Sequence, residues 1–364
     1  MRPQHLKCLD GIRALAFLIV FVSHAGLENR IPGVFGVTIF FFLSGYLITS
    51  LLRMEWERAR RISLKNFYIR RACRILPPFY VVLGLASLLC LFGIPNRDVS
   101  ISGLLSVFFY YYNYLTLLSP LHATLPPGMG VLWSLMVEEH FYLIFPLLYL
   151  LLLRRGLSRT AQGVVLLSIC GAALVWRLIL VYALHTNLTA VPRWTLHATD
   201  ARFDSILWGC ILAIVANPWC GDVSPTLARH KGSFAIGGIA LLLFCFVFRN
   251  PDFRETLRYS LQGIGLFPVF YYLVASPNSW ASRALAYQPL RWLGWVSYTM
   301  YLVHDFALFV SWKYFPTHAV LATMGTFVAC GCLSEMIRRS VEIPFRRVAH
   351  RRELAKPAGE AVAR

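Results

Sequence analysis

Apolar runs long enough to cross a lipid bilayer recur from one end of this sequence to the other, and no other feature restricts its folding as much. They lie near 11–27, 34–52, 75–93, 132–153, 162–184, 203–216, 233–248, 259–275, 293–312 and 318–336. A helix rises 1.5 Å per residue, so about 20 apolar residues cross the ~30 Å hydrocarbon core. In lipid every backbone N–H and C=O must be satisfied within the protein, and a helix does this by itself. The chain is 57% hydrophobic and only 14% charged, where a soluble domain carries about 25% charged residues. The expected fold is all-α: a polytopic transmembrane helix bundle of about ten spans. A disordered chain is excluded and an ordinary soluble enzyme is disfavoured. An eleventh run, 101–118, differs from the rest. Its stretch Phe108-Phe109-Tyr110-Tyr111-Tyr112-Asn113-Tyr114 is amphiphilic, and tyrosine favours the membrane interface.

The charges settle a direction. There are 35 Lys and Arg against 17 Asp and Glu, a formal net charge of +18. A nucleic-acid binder would interleave its cations with polar surface, whereas a membrane protein concentrates them in cytoplasmic loops. Eight basic and two acidic residues lie between Arg53 and Arg74, and eight basic and three acidic between Arg338 and Arg364. Both blocks flank apolar runs, so no nucleic-acid partner is expected and membrane lipids are. With 53–74 cytoplasmic, both termini are cytoplasmic and the 28–33 loop is outside, provided 101–118 is re-entrant or interfacial. Arg154, Arg155, Arg159, Arg229, Lys231, Arg283 and Arg291 then fall inside. Arg249, Arg254 and Arg258 fall outside, against the pattern. The first run carries Arg13 and His24 and lacks a small-residue cleavage pattern, so it reads as a retained span rather than a secretory signal. Residues 1–347 form the expected membrane domain, and 348–364 a basic cytoplasmic tail expected to be disordered. The nine cysteines are scattered, mostly within apolar runs, with no CxxC pair. They read as small buried hydrophobes, with no metal site and no disulfide framework expected.

A few polar residues sit where apolar ones would serve better. Arg13 and His24 are eleven residues apart, about 20° from three full helical turns, so they share a face with backbones about 16 Å apart. Ionisable groups at membrane depth mark function by default; against this, Arg13 snorkelling to the interface and His24 capping the outer end would be purely structural. Ser44 and Gly45 allow close approach of a helix or an extended ligand. The block Arg70-Arg71-Ala72-Cys73-Arg74 sets cations at a membrane entry, as an orientation signal or as phosphate partners. Ser134, Glu138 and Tyr142 recur every four residues on one helix face. Glu138 reads either as an interfacial cap or as an internal partner for a basic group. Arg202 is set between Asp200 and Asp204, suggesting a local pair. Ser297, Tyr301 and His304 lie near one face of a later span.

Taken in order, these blocks resemble the acyltransferase 3 family of integral membrane acyltransferases, over about 9–347. The resemblance is carried by Arg13-x10-His24, Phe40-Phe41-x-x-Ser44-Gly45, Arg70 to Pro77, and Trp133-Ser134-Leu135-x-x-Glu138-x-x-Phe141-Tyr142. Arg202-x-Asp204, Gly294-x-x-Ser297-Tyr298-x-x-Tyr301-Leu302-x-His304 and Glu342-x-Pro344 complete it. It implies ten spans in a bacterial inner membrane and transfer of an acyl group, commonly acetyl from acetyl-CoA, to a sugar hydroxyl. The implied acceptor is a polysaccharide or lipid-linked oligosaccharide, and polysaccharide biosynthesis and export machinery are possible partners. No permanently bound cofactor is implied. Some members carry an appended periplasmic hydrolase-like domain; none is expected within these 364 residues.

On this resemblance His24 is the expected base for the acceptor hydroxyl, since an imidazole titrates near neutrality. Arg13 is assigned to donor binding, assisted by Arg71 and Arg74. Glu138 would orient His24 or hold an arginine, and Ser134 or Tyr142 would donate hydrogen bonds. Ser44, Arg202, Asp204 and His304 complete the expected substrate site. Ser44, Ser134 and Ser297 remain open as nucleophiles, so direct transfer and a covalent acyl-enzyme both stand. The rival from another class is a transporter or exporter of a small organic acid or glycan precursor. An acyltransferase acting on an antibiotic or lipid is a third.

Overall fold

The computed structural model describes residues 6–95, 99–185, 193–222 and 225–354. All regular structure among them is helical. In chain order the α-helices are α1 Lys7–Val22, α2 Gly33–Ala59, α3 Leu64–Leu91, α4 Ile101–Phe108, α5 Tyr112–Leu118, α6 Trp133–Arg154, α7 Arg159–Leu178 and α8 Trp194–His197. They continue as α9 Thr199–Val215, α10 Pro225–Val247, α11 Pro251–Glu255, α12 Leu257–Ala275, α13 Trp280–Leu285, α14 Gln288–Tyr314, α15 Ala319–Ile337 and α16 Ile343–Leu354. Residues 348–354, assigned from sequence to the tail, thus continue a helix, and 355–364 lie outside the described residues.

Eight helical stretches among the described residues are long and apolar enough to cross a membrane: Lys7–Leu27, Gly33–Ala59, Leu64–Leu91, Met129–Arg154, Arg159–Ala183, Trp194–Cys220, Pro225–Val247 and Pro316–Ala349. The other two runs expected to span lie on α12, of 19 residues, and α14, of 27, which are not among these eight. Large apolar side chains face outward, among them Leu143, Ile144, Leu147 and Leu151 on α6 and Ile236, Leu243 and Val247 on α10. In water such faces would associate; in a bilayer they meet lipid tails. The chain is a multi-pass integral membrane protein.

The 101–118 run forms no helix long enough to cross a bilayer. It is broken at Tyr110, a non-glycine residue with φ 61°, into helices of eight and seven residues, each only about 10–12 Å long. The Ser100 N–H donates to the Thr124 carbonyl at 3.0 Å, so the chain enters and leaves this segment at one point. Asn113, wholly buried, anchors it by donating to the His197 carbonyl and Thr199 Oγ1, both at 3.1 Å. Ion pairs agree with this topology. Arg159 bonds Glu57 at 3.0 Å and Asp222 at 2.6 Å, while Arg53 bonds Glu57 at 2.8 Å and also holds Asp222. The end of α2, the start of α7 and the segment after α9 therefore share one end. An even number of crossings separates each pair only if 101–118 turns back.

Contacts divide the chain into two compact units. The first comprises 1–62, 100–125 and 130–295, and the second 63–99, 126–129 and 296–364. At the centre of the first, α2 and α9 meet backbone to backbone. A Cβ on Gly45 would fall 2.0 Å from the Ile206 carbonyl oxygen, and one on Gly209 1.9 Å from that of Phe42. Glycine is required at this crossing, as the Ser44-Gly45 pair led us to expect. Phe42, Tyr46, Leu212, Phe270 and Tyr271 pack the surrounding core. In the second unit α3, α14 and α15 line an apolar groove of about 680 Å³. Gly128 there (φ +74°) lies against the Asp305 backbone, where a Cβ would come within 2.4 Å.

Candidate functional site

The first unit holds a polar centre on the α2 and α6 faces that the sequence singled out. Ser44 Oγ donates to Glu138 Oε1 at 2.9 Å. The Tyr142 hydroxyl lies 3.1 Å from Glu138 Oε2 and 3.3 Å from Ser44 Oγ. Tyr142 stands one turn after Glu138, which brings the two together along α6, and Gly45 lets the Ser44 turn of α2 enter the packed centre. A carboxylate is an acceptor only, so each hydroxyl directs its proton at it. A serine oxygen held this close to a carboxylate has the geometry of a base-activated nucleophile or of a hydroxyl-binding subsite. Ser134, on the same face, is buried and donates to the Val131 carbonyl at 3.0 Å.

Arg202 and Asp204 are both wholly buried, yet they do not form the expected local pair. Asp204 is held by Arg177, from Nη1 at 3.0 Å and Nη2 at 2.7 Å, and by Ser260 Oγ at 2.7 Å. Asp200 instead accepts from the Tyr114 hydroxyl at 2.6 Å and from the Trp176 indole N–H. Burial, and then the bond to Asp200, pushes the Tyr114 phenol up to about 12. The physical reason is helix phase. Residues 202 and 204 are about 200° apart around α9, so the two side chains leave on opposite faces. Arg202 donates to Thr38 Oγ1 at 3.0 Å and lies 3.8 Å from the Tyr259 ring centroid and 5.7 Å from that of Phe41. Its Nε and Nη1 are buried with no partner. Tyr259 carries two further guanidiniums, Arg177 at 5.5 Å and Arg258 at 5.1 Å. Three cations thus surround one aromatic ring.

Arg13 and His24 occupy opposite ends of the first span. Arg13 bonds Asp10 Oδ1 at 3.4 Å, and Asp10, almost fully buried, also accepts from Trp295 Nε1 at 3.0 Å with Arg291 at 3.7 Å. Arg13 therefore belongs to an ion cluster. His24 is half-buried on a π-turn, Ser23–Leu27, that follows α1. Ser23 Oγ accepts from the Gly33 N–H at 3.1 Å, tying this turn to the start of α2.

The remaining expected site residues lie in the second unit. His304 is wholly buried, with Nδ1 2.8 Å from the Tyr301 carbonyl. A carbonyl only accepts, so Nδ1 donates in this bond. The Arg71 guanidinium lies 5.9 Å from the Phe67 ring centroid. Arg74 stands close enough to Arg346 for the two cations to repel. Ser297 and Tyr301 share the buried face of α14 with His304.

Sequence reasoning passed over Arg177, Tyr259, Thr38 and Asp10. The signal for Arg177 was present: a lone arginine inside the apolar run 162–184 satisfies the rule that selected Arg13. Asp10 stood at the edge of the first run and was likewise legible. Tyr259 and Thr38 carried none, since an aromatic or a threonine in a span is ordinary.

Helices with apolar outer faces around a buried set of carboxylates, hydroxyls and guanidiniums define a membrane-embedded protein with a polar interior. The chain belongs to the membrane acyltransferase family described as "Acyltransferase domain", which matches residues 6–335. It is similar to the peptidoglycan O-acetyltransferase OatA of Listeria monocytogenes, at 31% identity over 94% of this chain and 56% of that protein. The O-acetyltransferase OatA of Staphylococcus aureus is 28% identical, over 95% and 58%. The putative peptidoglycan O-acetyltransferase YrhL of Bacillus subtilis is 29% identical, over 83% and 48%. The chain spans about half the length of these curated relatives. No solved structure matches it.

Proposed function

We propose that this chain is a membrane O-acetyltransferase that moves an acetyl group from acetyl-CoA to a hydroxyl of a cell-envelope glycan. The acceptor is a peptidoglycan-type polysaccharide or its lipid-linked precursor, and the enzyme sits in the bacterial inner membrane with both termini cytoplasmic. The observation that carries the reading is the Ser44–Glu138–Tyr142 centre, a carboxylate with two hydroxyls inside an apolar bundle of this family.

In the reaction the acceptor oxygen attacks the thioester carbonyl while His24 takes its proton. The C–S bond breaks, and the CoA thiolate leaves and recovers a proton. Arg13, at the end of the first span expected to face the cytoplasm, binds the donor's phosphates. Glu138 orients hydroxyls through Ser44 and Tyr142. General base catalysis contributes about 10²–10⁴-fold. His24→Ala should therefore abolish detectable CoA release with a glycan acceptor, and Glu138→Gln should slow it at least about 100-fold, both with folded protein in the membrane. Normal transfer by folded His24→Ala would overturn the assignment.

A further inference from the structure

The three arginines that break the charge pattern, Arg249, Arg254 and Arg258, come together with Arg30 around one cavity of about 380 Å³. The walls come from the loop after the first span and from the segment after α10, which are some 220 residues apart in sequence but adjacent in the first unit. Glu28 is the one acidic residue that lines the cavity. The nearby Glu255 is already engaged, by Arg193 Nη1 at 2.8 Å and by the Thr195 hydroxyl. Arg258 is more than nine-tenths buried, and its Nε is buried with no partner. Its Nη2 donates to the Tyr259 hydroxyl at 3.3 Å. Arg254, at the rim, is near enough to Arg258 for the two to repel.

Guanidiniums gathered against this repulsion, with an orphaned donor on the most buried one, are arranged for an oxyanion. A bare phosphate is a poor match, because Glu28 would repel a dianion. The same carboxylate, with Asn29, can accept hydrogen bonds from sugar hydroxyls. Phe246 adds an aromatic ring to the lining, and the volume lies within the range of small-ligand pockets. The cavity begins four residues after His24 along the chain, at the same end of the first span.

We propose that this arginine pocket is the subsite for a carboxylate-bearing sugar of the acceptor. The inference rests on the glycan-acetylating reading above. In that reading it places the acid sugar beside His24 and makes the enzyme selective for acidic over neutral glycans.

The test is direct binding without acetyl donor, by isothermal titration of the purified full chain in zwitterionic nanodiscs. The probes are a galacturonate trimer and its methyl ester. Wild type should bind the acid at least about tenfold more tightly than the ester, and added salt should erase that preference. The double variant Arg249→Gln, Arg254→Gln changes exposed rim residues. It should bring the acid's affinity down to that of the ester with an unchanged melting temperature. Equal binding of acid and ester by wild type, or a preference retained in the variant, would overturn the proposal. So would a variant that loses only its response to phosphatidylglycerol in the nanodisc, which would assign the pocket to a lipid headgroup. Acetyl transfer is measured separately. A chain that binds the acid but transfers no acetyl group refutes the functional reading and leaves the pocket standing.

Discussion

Removing the Asp204 carboxylate should strongly destabilise the first unit, because Arg177 is built around it. All five N–H groups of that guanidinium are spent. Nε goes to the Thr256 carbonyl at 3.0 Å and Nη1 to the Ala201 carbonyl and Asp204 Oδ1. Nη2 goes to Asp204 Oδ2 and Ser260 Oγ, both at 2.7 Å. Both partners are wholly buried. Asp204→Ala orphans two N–H groups and the Ser260 hydroxyl, and it leaves the buried Arg177 charge without its carboxylate. Orphaned buried donors cost about 1–3 kcal/mol each, and breaking a buried pair from one side about 3–5 kcal/mol. At roughly 2 °C per kcal/mol for a chain larger than 200 residues, the melting temperature should fall by about 6–10 °C. Removing both charges with Arg177→Met and Asp204→Leu should cost clearly less than the sum of the single changes. The assay is thermal unfolding in detergent across the full double-variant cycle. A loss under about 1 kcal/mol for Asp204→Ala, or additive single effects, would refute the reasoning.

Two further outcomes test the architecture and the end of the bundle that carries Asp222. Gly209→Leu should prevent stable assembly of the bundle, seen as loss of the monodisperse detergent-extracted species, because even its Cβ would sit 1.9 Å from the Phe42 carbonyl oxygen. Burial raises the Asp222 carboxyl, but Arg53 and then Arg159 outweigh it and hold it below the usual carboxylate range. A depressed folded value stabilises above the unfolded value near pH 4 and is lost as the pH falls through the folded one. Melting temperatures taken down from pH 5 should therefore drop, and Asp222→Asn should flatten that drop.

What could be read in advance follows from which interactions are periodic. The spans were legible because lipid imposes a 20-residue apolar length on each. The re-entrant reading of 101–118 followed from the arginine clusters, which any other choice inverted. Ser44, Glu138 and Tyr142 were found on α2 and α6 because polar side chains stand out in oily helices. Their meeting was not visible, since it depends on how two helices dock through Gly45 and Gly209. Arg202 shows the limit most clearly. Sequence proximity to Asp204 suggested a pair, but residues two apart on a helix face apart, and the true partner, Arg177, stands 27 positions away. The arginines at 249–258 were visible only as an anomaly, because a pocket assembled from two loops has no periodicity.

That anomaly gains force from where the acids of the first unit are committed. Glu57 and Asp222 are held by Arg53 and Arg159, Asp204 by Arg177, Glu255 by Arg193, and Asp10 by Arg13 and Arg291. Glu138 takes the hydroxyls of Ser44 and Tyr142. Arg202 and Arg258 share the Tyr259 ring instead, Arg202 retaining its buried Nε and Nη1 and Arg258 its buried Nε without an acceptor among the described residues. An aromatic face offsets a desolvated cation by about 2 kcal/mol, less than burying the charge costs. A fold that merely needed packing here would be more stable with leucine at both positions. Positive charge kept at that cost, stacked from the interior out to an arginine-lined cavity beside the His24 turn, is arranged to receive negative charge from a ligand.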